Sequence, residues 1–75
     1  MPFIHIYAYS GRDKEVKEKA AVAIIKAASE VMGSPESTFS VAYEDVDRED
    51  WEETVQQPII DPLRDKMLID HGKLL

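Results

Sequence analysis

The residue best suited to a catalytic role in this sequence is Pro2, which directly follows Met1. Methionine before a small residue is commonly removed, and its removal would leave the Pro2 nitrogen as a secondary amine. An α-amino group titrates near pH ~8, and an apolar pocket or a nearby cation disfavours its charged form. Such an amine can act as a general base close to neutral pH. Taken alone, Pro2 is better interpreted as an ordinary second residue, since many proteins begin with Met-Pro.

A second candidate is Arg12, which follows Gly11 in the turn expected after the first strand. A guanidinium group can hold a carboxylate with two parallel hydrogen bonds. Arg12 therefore suits the binding of a small anionic molecule. Without further context, it has the character of a surface arginine.

The other polar residues do not form a pattern typical of a metal site or a catalytic triad. His5 and His71 are far apart in sequence and have no patterned carboxylates beside them, which argues against a metal site. The serines have no accompanying His–Asp arrangement. The acidic stretch at residues 44–53 is expected to be a solvated helix start rather than a cation site. We therefore predict no metal.

The elements that must position these candidates follow the order strand, helix, strand. Alternating side chains predict a strand at Phe3–Tyr9. Apolar residues at helical spacing predict a helix at Lys14–Met32, with Asp13 as its N-cap. A second strand is expected at residues 39–44, parallel to the first, because a long helix between two strands forms a right-handed crossover. The apolar stripe of the helix comprises Val16, Ala20, Ala23, Ile24, Ala27 and Val31, and it is widened by Ala21, Ile25, Ala28 and Met32.

Shorter elements are expected after the second strand. One short helix at residues 48–54 carries Trp51. A second, at residues 62–69, is expected to be capped by Asp61 and to end at Gly72, before a short tail. The fold class is therefore α/β (α+β): a β-α-β unit with parallel strands and short C-terminal helices.

A chain of 75 residues forms one domain at most. We expect a single domain over residues 1–75, with residues 2–51 as the core and residues 52–75 as a C-terminal extension. A domain of this size buries only about 60% of its unfolded surface, and the absence of cysteine excludes disulfides. One helix also leaves one sheet face open, although parallel sheets are normally covered on both faces. We therefore expect self-association, with sheets joined between subunits, as a homodimer or a hexamer.

Charge and hydropathy restrict the other partners. The chain carries 15 acidic and 9 basic residues, for a net charge of −6, and such a surface repels nucleic acid. No apolar run approaches the ~20 residues that span a bilayer. Residues 1–12 lack the features of a secretory signal. We expect no nucleic-acid partner, no membrane association and a cytoplasmic location.

The order of these features resembles that of the 4-oxalocrotonate tautomerase family. The shared features are Pro2 at the start of a strand, Gly11 and Arg12 at its end, a helix of about five turns, and Pro35 before the second strand. They run without a gap from Pro2 to Trp51. The resemblance implies a keto–enol tautomerase that needs no cofactor and no metal. It also implies that Pro2 is the general base and that Arg12 binds the substrate carboxylate.

One position departs from the family's pattern. The family's second arginine falls on Ser40, and the aromatic residue that makes its pocket apolar falls on Trp51. Ser40, Trp51 and the longer C-terminus resemble the YdcE-like branch, which acts on phenylenolpyruvate-type enols. Because Ser40 offers a neutral hydrogen bond in place of a charge, a monocarboxylate enol of a small 2-oxo acid is the expected substrate. Without the resemblance, Trp51 would be interpreted as an interface anchor.

Two other functions remain open. Some members of the family hydrolyse halogenated acrylates, with a protonated proline as the acid, but no water-activating carboxylate is evident near Pro2. The chain is otherwise a non-catalytic binding or assembly module of the same fold. Retention of Met1 would favour that interpretation, because the Pro2 nitrogen would then be an amide.

Overall fold

Two strands with alternating side chains, β1 (Phe3–Tyr9) and β2 (Ser40–Val46), lie side by side as a parallel pair. They are connected through helix α1 (Lys14–Met32). This arrangement confirms the predicted β-α-β architecture. The computed structural model describes residues 1–75, and the chain divides into two compact units, Met1–Asp45 and Val46–Leu75.

Helix α1 has a side-chain cap at its start and a glycine at its end. The Asp13 carboxylate accepts a hydrogen bond from the Val16 backbone N–H at 3.0 Å. Gly33 has a φ of 79°, and its N–H donates to the Ser29 carbonyl. A left-handed residue at this position favours glycine because glycine has no Cβ. Both ends of α1 are therefore where the sequence predicts them.

The half-buried side of α1 lies within the widened part of the predicted stripe and includes Ala21, Ile25 and Ala28, whereas Val31, at one end of the stripe, is 88% exposed. Lys17, which is not part of the predicted stripe, is also half-buried. Its Nζ lies 5.5 Å from the centre of the Tyr43 ring and pairs with the Asp45 carboxylate. One apolar side of α1 is therefore uncovered.

Strand β2 begins one residue later than predicted, because the preceding segment forms a 3₁₀ turn at Glu36–Thr38. The Phe39 N–H donates to the Glu36 carbonyl and closes this turn. Phe39 is therefore the last residue of the turn rather than the first residue of the strand. At its other end, the strand extends beyond the predicted residue 44 to Val46.

The second unit contains a 3₁₀ turn at Arg48–Asp50, a π-helix at Glu52–Ile60 and a 3₁₀ helix at Asp61–Lys66. Pro58 has no N–H, and the Asp61 N–H donates to the carbonyl five residues earlier, at Gln56. This wide hydrogen bond is typical of π-helical geometry. The prediction that Asp61 caps a helix is wrong. Its side chain instead accepts a hydrogen bond from Gln56 Nε2 at 2.9 Å.

The chain ends in a β-hairpin formed by β3 (Ile69–Asp70) and β4 (Lys73–Leu74), which pair antiparallel. His71 and Gly72 both have positive φ, 48° and 80°. Positive φ at both central residues is the requirement of a type I′ hairpin turn. The predicted helix end and tail are therefore wrong, because Gly72 completes a hairpin turn rather than a helix.

Few apolar side chains are buried within the chain. Val46 and Val55 are the buried apolar residues, whereas Phe3 is 65% exposed and Val31 is 88% exposed.

Candidate active site

The start of β1 brings two of the four candidate residues together. The Ser40 backbone N–H donates to the Pro2 carbonyl oxygen at 3.1 Å. Because β1 and β2 are parallel, both strands begin at the same end of the sheet. Pro2 is half-buried and Ser40 is exposed. The N-terminal end of the sheet therefore places Pro2 beside the exposed residue Ser40.

The chemistry available at Pro2 depends on Met1. While Met1 is attached, the Pro2 nitrogen is a tertiary amide and has no basic lone pair. Met1 lies outside β1 and is 99% exposed. Its removal would therefore convert Pro2 into a secondary amine without breaking any part of the strand.

Arg12 lies at the other end of β1. Its Nη1 donates to the Tyr9 carbonyl oxygen at 3.3 Å, and the residue is exposed. The seven residues of β1 span about 20 Å at the rise of a β-strand. Within one chain, Arg12 is therefore far from a small molecule bound at Pro2.

The turn between β1 and α1 sets the direction in which Arg12 leaves the sheet. Gly11 has a φ of 133°, a backbone conformation that L side chains rarely adopt. Asp13 follows as the N-cap of α1. Arg12 therefore lies between a glycine with positive φ and the N-cap residue of α1, just after the C-terminal end of β1.

Trp51 belongs to the second unit. Its backbone N–H donates to the Arg48 carbonyl, which closes the 3₁₀ turn at Arg48–Asp50, and the residue is half-buried. The π-helix begins at the next residue. Trp51 is therefore positioned by the junction of two tight helical segments.

His5 and Glu44 form a polar pair that the sequence did not predict. His5 Nε2 lies 2.8 Å from Glu44 Oε1. The imidazole ring also stacks on Tyr7, with 4.2 Å between ring centres. The pair lies on the sheet face opposite α1, since Lys17 of α1 contacts Tyr43 and Asp45 on the other face.

We call this second face the open sheet face; it is formed by Phe3, His5, Tyr7 and Glu44. The alternation of side chains along each strand allows His5 and Glu44 to lie on the same face of the sheet. This pattern is a weak signal for a contact, because predicting which residues are neighbours requires the register between β1 and β2. The sequence alone does not supply this register.

No group of three or more histidine and acidic side chains is arranged to hold a metal ion. Two members of the acidic stretch at residues 44–53 have basic partners instead: Glu44 contacts His5, and Asp45 pairs with Lys17. None of the helices is both long and apolar enough to cross a lipid bilayer.

The part of the chain that contains the four candidate residues is also similar to known proteins. The family described as "Tautomerase enzyme" matches residues 2–53, a segment that begins at Pro2 and includes Arg12, Ser40 and Trp51. The chain is also similar to a protein of Xylella fastidiosa (strain 9a5c) described as "Probable tautomerase". The two are 32% identical over 68 residues, which cover 91% of this chain and 83% of the relative. With its β-α-β fold and a match over most of its length, the chain belongs to the tautomerase family.

Proposed function

We propose that this chain is a cofactor-independent isomerase that interconverts the enol and keto forms of a small 2-oxo acid. The observation that carries the proposal is the family match, which begins at Pro2. The hydrogen bond between the Pro2 carbonyl and the Ser40 N–H supports it, because it brings a second candidate residue beside the proposed base.

In the proposed reaction, Pro2 without Met1 acts as a proton carrier. Its nitrogen accepts the proton of the enol hydroxyl, and the oxygen electrons form the carbonyl bond. The electrons of the carbon–carbon double bond then take a proton from the Pro2 ammonium. One O–H bond breaks, one C–H bond forms, and the amine returns to its neutral form. General-base catalysis of this kind contributes about 10²–10⁴-fold.

Arg12 is proposed to reach this site from a second copy of the chain. A guanidinium–carboxylate contact needs an N···O distance of about 2.7–2.9 Å, whereas Arg12 and Pro2 of one chain lie about 20 Å apart along β1. The small number of buried apolar residues supports such self-association. A homodimer and a hexamer both satisfy this requirement.

The proposed substrate is a monocarboxylate enol with an apolar tail, such as phenylenolpyruvate, as in the YdcE-like branch. One guanidinium per site would hold one carboxylate in a bidentate clamp, and Ser40 would add a neutral hydrogen bond. Trp51 is proposed to provide an apolar wall for the tail. A low local polarity would also favour the neutral form of the Pro2 amine.

A non-catalytic assembly module of the same fold is the second candidate function. It would apply where Met1 is retained, because the peptide bond between Met1 and Pro2 removes the basic lone pair from the proline nitrogen. In that case, the exposed apolar surface would serve assembly alone.

The experiment that tests the proposal is a tautomerase assay on protein whose N-terminal residue has been identified by intact mass. The loss of the enol is followed by ultraviolet absorbance for phenylenolpyruvate and for the dicarboxylate 2-hydroxymuconate. We expect turnover of phenylenolpyruvate with the higher kcat/KM. Processed protein that turns over neither enol would contradict the proposed activity and favour the assembly module.

A further inference from the structure

Strand β2 begins opposite Phe3, the residue that follows Pro2. In a parallel pair, a residue forms its two backbone hydrogen bonds to the residues on either side of the one it faces. The Ser40 N–H donates to the Pro2 carbonyl oxygen, and Ser40 therefore faces Phe3. Neighbouring strands lie about 4.8 Å apart. The first residues of β1 and β2 are therefore direct neighbours.

The side chains of Phe3 and Ser40 also lie on the same face of the sheet. Side chains two or four positions apart along a strand share a face. Phe3 therefore shares a face with His5, and by the same rule Ser40 shares a face with Glu44. His5 Nε2 lies 2.8 Å from Glu44 Oε1, so both pairs lie on one face. Ser40 therefore belongs to the open sheet face, together with Phe3.

The Phe3 ring has a neighbour on one side and is otherwise accessible. Its centre lies 6.0 Å from the centre of the His5 ring, in an edge-to-face arrangement with an angle of 66° between the rings. His5 contacts Glu44 and stacks on Tyr7, which supports the Phe3 ring along the strand. Phe3 is nevertheless 65% exposed. An exposed ring beside Pro2 can contact a small apolar group.

The position of Ser40 defines the side from which the proposed substrate reaches Pro2. That substrate contacts the Pro2 nitrogen and the Ser40 side chain together. Because Ser40 belongs to the open sheet face, such a molecule lies over the start of that face. The Cα atoms of Pro2 and Phe3 are about 3.8 Å apart. The Phe3 ring is therefore within reach of a tail that extends from the reacting carbon.

We propose that Phe3 determines the preference for an aromatic substrate by packing against its tail. This inference rests on the proposed function and names the residue that selects the tail. Contact between two aromatic rings is more favourable than apolar burial alone. A second carboxylate in the same place would instead meet an apolar ring and the uncharged Ser40, with no cation from either residue.

The first test measures binding, with hydrocinnamate as the probe, a saturated monocarboxylate that carries a phenyl tail. The chain contains two phenylalanines, Phe3 and Phe39, so isotope-labelled phenylalanine gives two sets of ring signals in the NMR spectrum. Phe39→Leu protein assigns them. We expect nuclear Overhauser effects between the probe's phenyl protons and the Phe3 ring in protein that begins at Pro2. Contacts to Phe39 alone, or none to Phe3 at millimolar probe, would overturn the proposal.

The second test measures kcat/KM for phenylenolpyruvate and for 2-hydroxymuconate. We expect Phe3→Ala to lower the ratio of the first value to the second about tenfold, whereas Phe3→Tyr, which retains a ring, should keep the wild-type ratio. Val22→Ala on α1, where Val22 is 60% exposed, is the control for loss of an exposed apolar side chain elsewhere. An equal loss for both enols in Phe3→Ala would show that Phe3 does not select the tail.

These outcomes separate this inference from the proposed function. Protein with a free Pro2 that binds hydrocinnamate at Phe3 but turns over neither enol would contradict the proposed activity and support the contact with Phe3. Active protein whose substrate ratio is unchanged by Phe3→Ala would contradict the role of Phe3 alone.

Discussion

At the scale of single residues, the chemistry proposed for this chain depends on the bond between Met1 and Pro2. An amide nitrogen shares its lone pair with the carbonyl group and cannot accept a proton near neutral pH. The same nitrogen as a free secondary amine can. Because Met1 is almost fully exposed and lies outside β1, this difference can be tested without altering the fold.

We predict that a cleavable extension ahead of Pro2 lowers kcat for phenylenolpyruvate by about 10²–10⁴-fold, the usual effect of losing a general base. Cleavage that regenerates Pro2 as the first residue should restore kcat in the same sample. Pro2→Ala, which leaves a primary amine after processing, should retain part of the activity. Equal turnover before and after cleavage would exclude the Pro2 nitrogen as the base.

Substrate preference is the second property that belongs to the residue scale. A hydrogen bond to a charged group contributes about 1.5–3 kcal/mol, against about 0.5–1.5 kcal/mol for a neutral one. We therefore predict that Ser40→Arg raises kcat/KM for 2-hydroxymuconate about tenfold relative to phenylenolpyruvate. Ser40→Gln, which adds length without charge, is the control. An unchanged ratio in Ser40→Arg would contradict the proposed role of position 40.

Arg12 is predicted to act on both substrates alike, since each has at least one carboxylate. Arg12→Ala should lower kcat/KM for both enols, chiefly through a higher KM, whereas Arg12→Lys should retain part of the binding through its charge. Steady-state kinetics on both enols measure this. A selective loss of only the dicarboxylate would mean that Arg12 holds the far end of the substrate instead.

At the scale of elements, the start of α1 is a local structure with a measurable contribution. The Asp13 carboxylate accepts a hydrogen bond from the Val16 N–H, and loss of such a cap typically costs about 1 kcal/mol. We predict that Asp13→Ala lowers the free energy of unfolding by this amount, measured by urea denaturation at fixed protein concentration. Asp13→Asn should be close to the wild type. A similar loss in Asp13→Asn would show that charge, rather than capping, is responsible.

At the scale of the whole molecule, the separation of Pro2 and Arg12 along β1 has a direct consequence for activity. Protein with a blocked Pro2 and an intact Arg12 should have low activity alone, and Arg12→Ala protein with a free Pro2 should have low activity at enol concentrations below its raised KM. If the two residues of a site come from different copies, a mixture of the two proteins at equal concentration should recover about a quarter of wild-type activity, since a quarter of the sites then combine both intact residues.

Activity measured after dissociation and reassembly of the mixture tests this prediction, with each protein reassembled alone as the control. A mixture no more active than its parents would mean that Pro2 and Arg12 act within one chain. In that case, the distance along β1 would have to shorten by a rearrangement of the strand or the following turn.

The sequence by itself determined the elements that depend on local pattern. Residues close together in the sequence specify the strand at Phe3–Tyr9, the helix at Lys14–Met32 and both ends of that helix. These signals need no knowledge of distant contacts, since they reflect backbone conformation and capping. The same is true of the residues that carry the family resemblance, whose order along the chain is itself the evidence.

Tertiary structure alone decided which residues meet. The register between β1 and β2 placed Ser40 beside Pro2 and Glu44 beside His5. The C-terminal hairpin also escaped prediction, because its turn depends on positive φ at His71 as well as at Gly72. Sequence periodicity shows which side of an element is apolar. It does not show what covers that side, because the covering residues are distant in the chain or belong to another copy.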